Sequence, residues 1–111
     1  SLLIRAIQNI LTNALEYADK QNPKIKIRVE QEGKELKIGI WNNGSEFPDE
    51  VLTNFGKLFY RMDKARTVKE QHFGIGLSFV CRVAELHKGR VELKNRDEGA
   101  EVIMSLNCIK S

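Results

Sequence analysis

Proline and cysteine are both scarce in this chain of 111 residues, with two of each. So little proline excludes a polyproline or collagen-like architecture. The two cysteines, Cys81 and Cys108, form no CxxC pair, which excludes a disulfide-stapled miniprotein and leaves free thiols in a reducing compartment as the expectation. No apolar run approaches the roughly 20 residues that a membrane-spanning helix needs. No charged-then-apolar signal segment opens the chain either, so the piece is expected to be soluble and to make no direct membrane contact. An excess of one charge is also missing, because 18 Lys and Arg stand against 15 Asp and Glu for a net charge of +3 without a basic block. A nucleic-acid surface, with its basic stripe and interleaved aromatics, is therefore not expected.

What is present is an ordinary globular composition, 41% hydrophobic and 30% charged, at the length of a single domain over residues 1–111. Leu3, Ile7, Ile10, Leu11, Ala14, Leu15 and Ala18 recur at helical spacing, which predicts an amphipathic helix from Leu2 to Ala18. Asn22-Pro23 ends it. Ile25, Ile27 and Val29 then alternate with Lys24, Lys26 and Arg28, and after Glu32-Gly33 the alternation resumes at Leu36, Ile38 and Ile40. This predicts an antiparallel hairpin with one buried face. Asn42-Asn43-Gly44-Ser45 is a loop signal, and Pro48-Asp49-Glu50 starts a short helix. Met62 to His72 is polar and without apolar period, which predicts an exposed, functional loop. Gly74-Ile75-Gly76 is expected to open a second amphipathic helix that stops near Lys88-Gly89. Two strands, Val91 to Lys94 and Val102 to Leu106, close the order around the turn Arg96 to Gly99. That order, α-β-β-loop-α-β-β, implies an α+β sandwich with helices on one face of a mixed, mostly antiparallel sheet.

Neither common nucleotide motif occurs, since there is no GxxxxGK[ST] run and Gly74-Ile75-Gly76 lacks a third glycine. More informative are Asn9 and Asn13, four apart and so on one side of the first helix. Their uncharged oxygens suit a hard cation such as Mg²⁺ that completes its shell with phosphate oxygens and water. By themselves such residues are ordinary solvent-facing polar groups.

Four runs in order change that reading. Gln8-Asn9-Ile10-Leu11-Thr12-Asn13-Ala14-Leu15-Glu16-Tyr17 resembles the N box of bacterial sensor histidine kinases, and Asn42-Asn43-Gly44-Ser45-Glu46-Phe47-Pro48 resembles their first glycine box. Phe55-Gly56-Lys57-Leu58-Phe59-Tyr60-Arg61 is similar to the F box, and Phe73-Gly74-Ile75-Gly76-Leu77-Ser78 to the second glycine box. The resemblance extends over essentially the whole chain and implies the Bergerat ATP-binding fold shared with gyrase and mismatch-repair ATPases. It implies that Asn13 ligates Mg²⁺, with Asn9 beside it, that Asn42 accepts a hydrogen bond from the adenine amino group beside Gly44, and that Tyr17, Phe47 and Leu77 line the base pocket. Phosphate neutralisation falls to Arg61, Lys64 and Arg66, helped by Tyr60 and by the backbone of Gly74, Ile75, Gly76 and Leu77.

In the related ATPases the position held here by Asn9 is a water-activating Glu. An amide takes no proton at neutral pH, so the resemblance implies γ-phosphoryl transfer to a histidine rather than hydrolysis, with Asn9, Asn13 and Arg61 as the catalytic set. The resemblance further implies an acceptor histidine on a separate dimerisation domain and a response regulator downstream, so that this piece is expected to be one cytoplasmic domain of a longer, membrane-anchored sensor. Trp41, beside Asn42, is a candidate optical reporter of the pocket. Three residues depart from the family pattern: Glu46 replaces a glycine, His72 replaces another, and Glu16, expected to turn to solvent, stands where a basic residue often reaches the phosphates. The alternative they support is a docking or nucleotide-sensing module without kinase activity.

Overall fold

Ser1 starts the first helix, its Oγ accepting the Ile4 N–H at 3.3 Å and so satisfying one of the amides that a helix start leaves unbonded. Helix α1 runs Leu2–Tyr17 and buries Ala6, Ile10 and Ala14 along one stripe. At Ala18 the chain turns extended, with ψ 158°, and Pro23 follows. The computed structural model describes residues 1–53, 55 and 68–107, and of residues 68–76 it describes the backbone.

The predicted hairpin is present. Strand β1, Ile25–Glu32, pairs antiparallel with β2, Glu35–Asn43, so that Ile27 lies opposite Ile40 and Val29 opposite Ile38. After the helical residues 49–53 (α2), helix α3 covers Val68–Leu86 and leads into β3, Arg90–Arg96, and β4, Gly99–Asn107. The sheet order is β1-β2-β4-β3, and every pairing among the described residues is antiparallel. The α+β sandwich with helices on one face is borne out; the described sheet is antiparallel rather than mixed.

The core lies between helices and sheet. Ala6, Ile10 and Ala14 of α1 and Val80, Val83 and Ala84 of α3 meet Ile38 and Ile40 of β2 and Val102, Met104 and Leu106 of β4. Small residues on the two helices let both backbones lie close to the strands. Ile10, Ile40 and Met104 lose essentially all exposure, each worth about 1.5 to 3 kcal/mol. Cys81 is a free, buried thiol on α3. Burial first, and Glu85 second, push its pKa up to about 12, so it stays protonated and inert at neutral pH.

Four expectations need correction. The hairpin has no continuous buried face at its edge, because Ile27 and Val29 are 57% and 64% exposed; among the described residues the helices sit over β2, β4 and β3. The polar stretch read as a loop to His72 ends sooner, since residues 68–72 already belong to α3. Lys69, Glu70 and Gln71 are strong helix formers and no proline intervenes. Gly74-Ile75-Gly76 therefore lies inside the helix instead of opening it. At the far end the left-handed residue is Lys88, with φ 56°. Gly89 is small for a different reason, as a Cβ there would lie 1.7 Å from the Ser105 carbonyl oxygen.

Beyond the helices, the outer face of the sheet is built differently. Glu101 is wholly buried on β4, with Arg28 Nη2 3.2 Å from Oε2 and Arg96 Nε 3.2 Å from Oε1. Trp41 lies on this same outer face by strand alternation, its indole N–H donating to the Arg96 carbonyl at 2.8 Å and Lys26 Nζ standing 5.2 Å from its ring centre.

Candidate functional site

Where α1 ends and β2 ends, the chain crosses itself. Strand alternation turns Asn42 to the helix side, next after Ile38 and Ile40. The helix stripe that carries Asn9, Asn13 and Tyr17 runs past the same point at steps of four residues. Gly44 makes the crossing tight. Its φ of +95° is open to glycine, and a Cβ there would stand 2.5 Å from the Asp19 backbone nitrogen.

Side-chain amides lash the crossing together. Asn43 Oδ1 accepts the N–H groups of Asp19 at 3.2 Å and Lys24 at 2.9 Å, and its Nδ2 donates to the Asn22 carbonyl at 2.9 Å. Ser45 N–H reaches back to the Tyr17 carbonyl at 3.1 Å. On the other side, Asn95 of β3 holds Phe47 by its backbone, accepting from its N–H and donating to its carbonyl, both at 2.8 Å.

The resulting pocket is lined by Asn13, Tyr17, Asn42, Glu46, Phe47 and Leu77, over a floor of Ile40, Ala100 and Val102. Its walls enclose about 20 Å³, about one water molecule's worth. A purine therefore enters only as rim side chains move aside. Asn42 is 6% exposed, and its Nδ2 donates to the Asn43 carbonyl at 2.8 Å. That bond uses one of the two amide hydrogens and fixes which end is which, so that Oδ1 is the end that can accept from a ligand. The Tyr17 phenol has its pKa raised by burial and then by Glu16, so it is neutral around pH 7.

Sequence expectations meet this geometry unevenly. Asn13, Tyr17, Asn42, Phe47 and Leu77, drawn from four segments, share one pocket. Gly44 is the pivot of the crossing and does not line the pocket. Asn9, half-buried on α1, lies one helical turn before Asn13 and outside the lining. Glu16 is exposed, as expected. Gly74, Ile75 and Gly76 are placed as helical backbone. Tyr60, Arg61, Lys64 and Arg66 fall outside the described residues. Among the described residues no group of three or more acidic, His or Cys side chains forms a metal cage, so a cation here would depend on Asn13, ligand oxygens and water. Trp41 faces away from the pocket and is not its direct reporter.

Sequence reading missed Asn43 and Asn95. Asn43 sits in a loop signal, where an Asx side chain bonding backbone is common. Asn95 gave no signal, because its partner Phe47 is 48 residues away.

Comparison with known proteins agrees with the geometry. The profile of the family described as histidine kinase-, DNA gyrase B-, and HSP90-like ATPase matches residues 1–108. The chain is 41% identical over 105 residues to the nisin biosynthesis sensor protein NisK of Lactococcus lactis subsp. lactis, covering 94% of this chain and 23% of that protein. It is 33% identical over 102 residues to the probable sensor kinase SilS of Salmonella typhimurium, 92% of this chain and 20% of the relative. This chain thus spans about a fifth of these relatives. Among solved structures, a nucleotide-free form of the catalytic domain of histidine kinase ThkA superposes with a TM-score of 0.79 at 27% identity, covering 99% of this chain and 68% of that one. A mycobacterial sensor histidine kinase, MprB, shares the fold with a TM-score of 0.71 at 20% identity, over 93% of this chain and 68% of its own.

Proposed function

Because this chain belongs to the histidine kinase-, DNA gyrase B- and HSP90-like ATPase family, as a catalytic domain of the sensor histidine kinase kind, we propose that it binds Mg-ATP at the crossing of α1 and β2. It presents the γ-phosphoryl group to a histidine on a separate dimerisation domain of the same sensor, which passes the group on to a response regulator. One observation carries this reading: Asn13, Tyr17, Asn42, Phe47 and Leu77, far apart in the chain, line a single pocket.

The roles follow from the chemistry of each group. Asn42 Oδ1 accepts the adenine amino N–H, Phe47, Leu77 and Ile40 exclude water around the base, and Tyr17 lies along its edge. Asn13 offers a neutral oxygen beside the phosphates, where bound Mg²⁺ supplies charge neutralisation. Asn9, one turn earlier, has no proton-accepting group, which favours phosphoryl transfer over hydrolysis. Arg61, Lys64, Arg66 and Tyr60 complete the phosphate side in this proposal.

The backbone of Gly74 to Leu77 reaches phosphate only after a change. Inside α3 these N–H groups face carbonyls four residues back, so the first turns of the helix must open to free them. Two glycines make that opening cheap, at about 1 kcal/mol of lost helix preference each. The domain works in this reading on the cytoplasmic side of a membrane-anchored sensor. Among the described residues no helix is long and apolar enough to cross a membrane.

Calorimetric titration with ATP, ADP and AMP, each with and without Mg²⁺, tests the proposal. ATP and ADP binding that strengthens with Mg²⁺ is expected, and no heat from any nucleotide would sink it. A second reading, a docking module without kinase activity, draws on the Glu46 carboxylate on the pocket wall, and silent titrations would favour it.

A further inference from the structure

The segment from Gly44 to Phe47 lies in no helix or strand, yet it supplies Ser45, Glu46 and Phe47 to the pocket. Such a stretch keeps a defined shape only if side chains take over the bonding that secondary structure would give. At its start Asn43 does so with bonds to Asp19, Asn22 and Lys24. At its end the work is done from another part of the chain. Asn95 sits near the end of β3, half-buried, and its amide meets both backbone groups of Phe47 at 2.8 Å.

Only a carboxamide offers a donor and an acceptor side by side with this spacing. The pair imitates one rung of a β-ladder, joining β3 to a residue that is not in a strand. Phe47 itself is 8% exposed and packs in the core cluster that forms the pocket wall. Its ring can rotate to admit a base while its backbone stays where Asn95 holds it.

We propose that Asn95 is a positioning residue for the nucleobase, which fixes Phe47 before the ligand arrives so that binding does not have to order the loop. This rests on the nucleotide reading given above. It does not touch phosphate or metal, so its loss acts on the base half of the ligand alone. Asn95→Ala removes both bonds. Asn95→Asp keeps an acceptor for the Phe47 N–H but sets a carboxylate oxygen against the Phe47 carbonyl, and so does not rescue. Asn95→Ser keeps a hydroxyl that ends one bond short of Phe47 and so loses both direct bonds.

The test titrates the wild-type domain and the three variants with ATP, ADP and adenosine, and separately with inorganic tripolyphosphate, all with Mg²⁺. Hydrogen exchange at the Phe47 amide is followed in the same samples. For Asn95→Ala the expected result is a roughly tenfold weaker affinity for ATP, ADP and adenosine alike. Tripolyphosphate binding should be unchanged and Phe47 exchange faster, with Asn95→Asp and Asn95→Ser as impaired as Asn95→Ala. Base-containing ligands that bind the variants as tightly as the wild type would overturn the inference, as would an equal loss for tripolyphosphate. Should Asn95→Ala not fold, Asn95→Ser carries the same comparison. A wild-type domain that binds none of the ligands overturns the nucleotide reading and this inference with it, whereas a binding wild type with indifferent variants overturns this inference alone.

Discussion

Trp41 and Asn42 are neighbours in sequence and live in different surroundings. Asn42 faces the helices, where two apolar stripes close over β2 and β4 and leave a small pocket at the rim. Trp41 faces outward, where no helix lies and where Glu101 is nevertheless entirely buried between Arg28 and Arg96. Burial on the inner face comes from hydrocarbon packed on hydrocarbon. On the outer face it comes from the stems of charged side chains laid across the strands, with their heads paired. Gly39 helps, since a Cβ there would stand 2.8 Å from Glu101 Oε2. The difference separates the two faces: the outer one is held by paired charges, and the inner rim carries the pocket that we propose for the nucleotide.

The sharpest way to break this division is to remove both cations from Glu101. Arg28→Met combined with Arg96→Met keeps apolar stems over Glu101 while removing both cations, which strands a buried carboxylate, and urea denaturation should register a loss of about 3 to 5 kcal/mol. A smaller loss, below about 1 kcal/mol, would mean that the ion cluster does not hold the outer face. An intermediate effect is expected at the rim. Asn42→Ala should weaken ATP and ADP equally by about 1 to 3 kcal/mol with little change in denaturation midpoint; a loss confined to ATP would show that the base lies elsewhere. The smallest effect tests the separation itself. Trp41→Phe should leave ATP affinity within about twofold, because the indole lies on the face of the sheet opposite the pocket and an aromatic of similar shape replaces it. A larger change would mean that the two faces communicate through β2.

How much of this was legible in the sequence depends on which face is read. Alternation at Ile38 and Ile40, and helical spacing at Ile10 and Ala14, revealed the inner face and the order of the elements. Three of the four motifs brought Asn13, Tyr17, Asn42, Phe47 and Leu77 together on paper before the pocket did so in space. The exposed Ile27 and Val29 were misread, since alternation reports which residues share a face but not whether anything covers it. The start of α3 was misread because glycines were taken as a boundary, although six helix-compatible residues precede them. The Glu101 cluster and the Asn95 clasp left no trace in local pattern, because each joins residues that only the folded register makes neighbours.

Strand β4 comes last of the four and yet lies between β2 and β3. While a chain is being synthesised, β1 and β2 can form their hairpin and α1 can coil, but the second edge of β2 stays unpaired until Gly99 to Asn107 exist. The pairing that completes the sheet joins Glu35 to Asn107, a separation that makes nucleation slow compared with local helix or hairpin formation. Assembly is therefore a late and concerted event. A chain without β4 leaves the second edge of β2 unpaired and loses the Val102, Met104 and Leu106 that pack with Ile38 and Ile40, which exposes apolar surface to whatever binds unfolded protein.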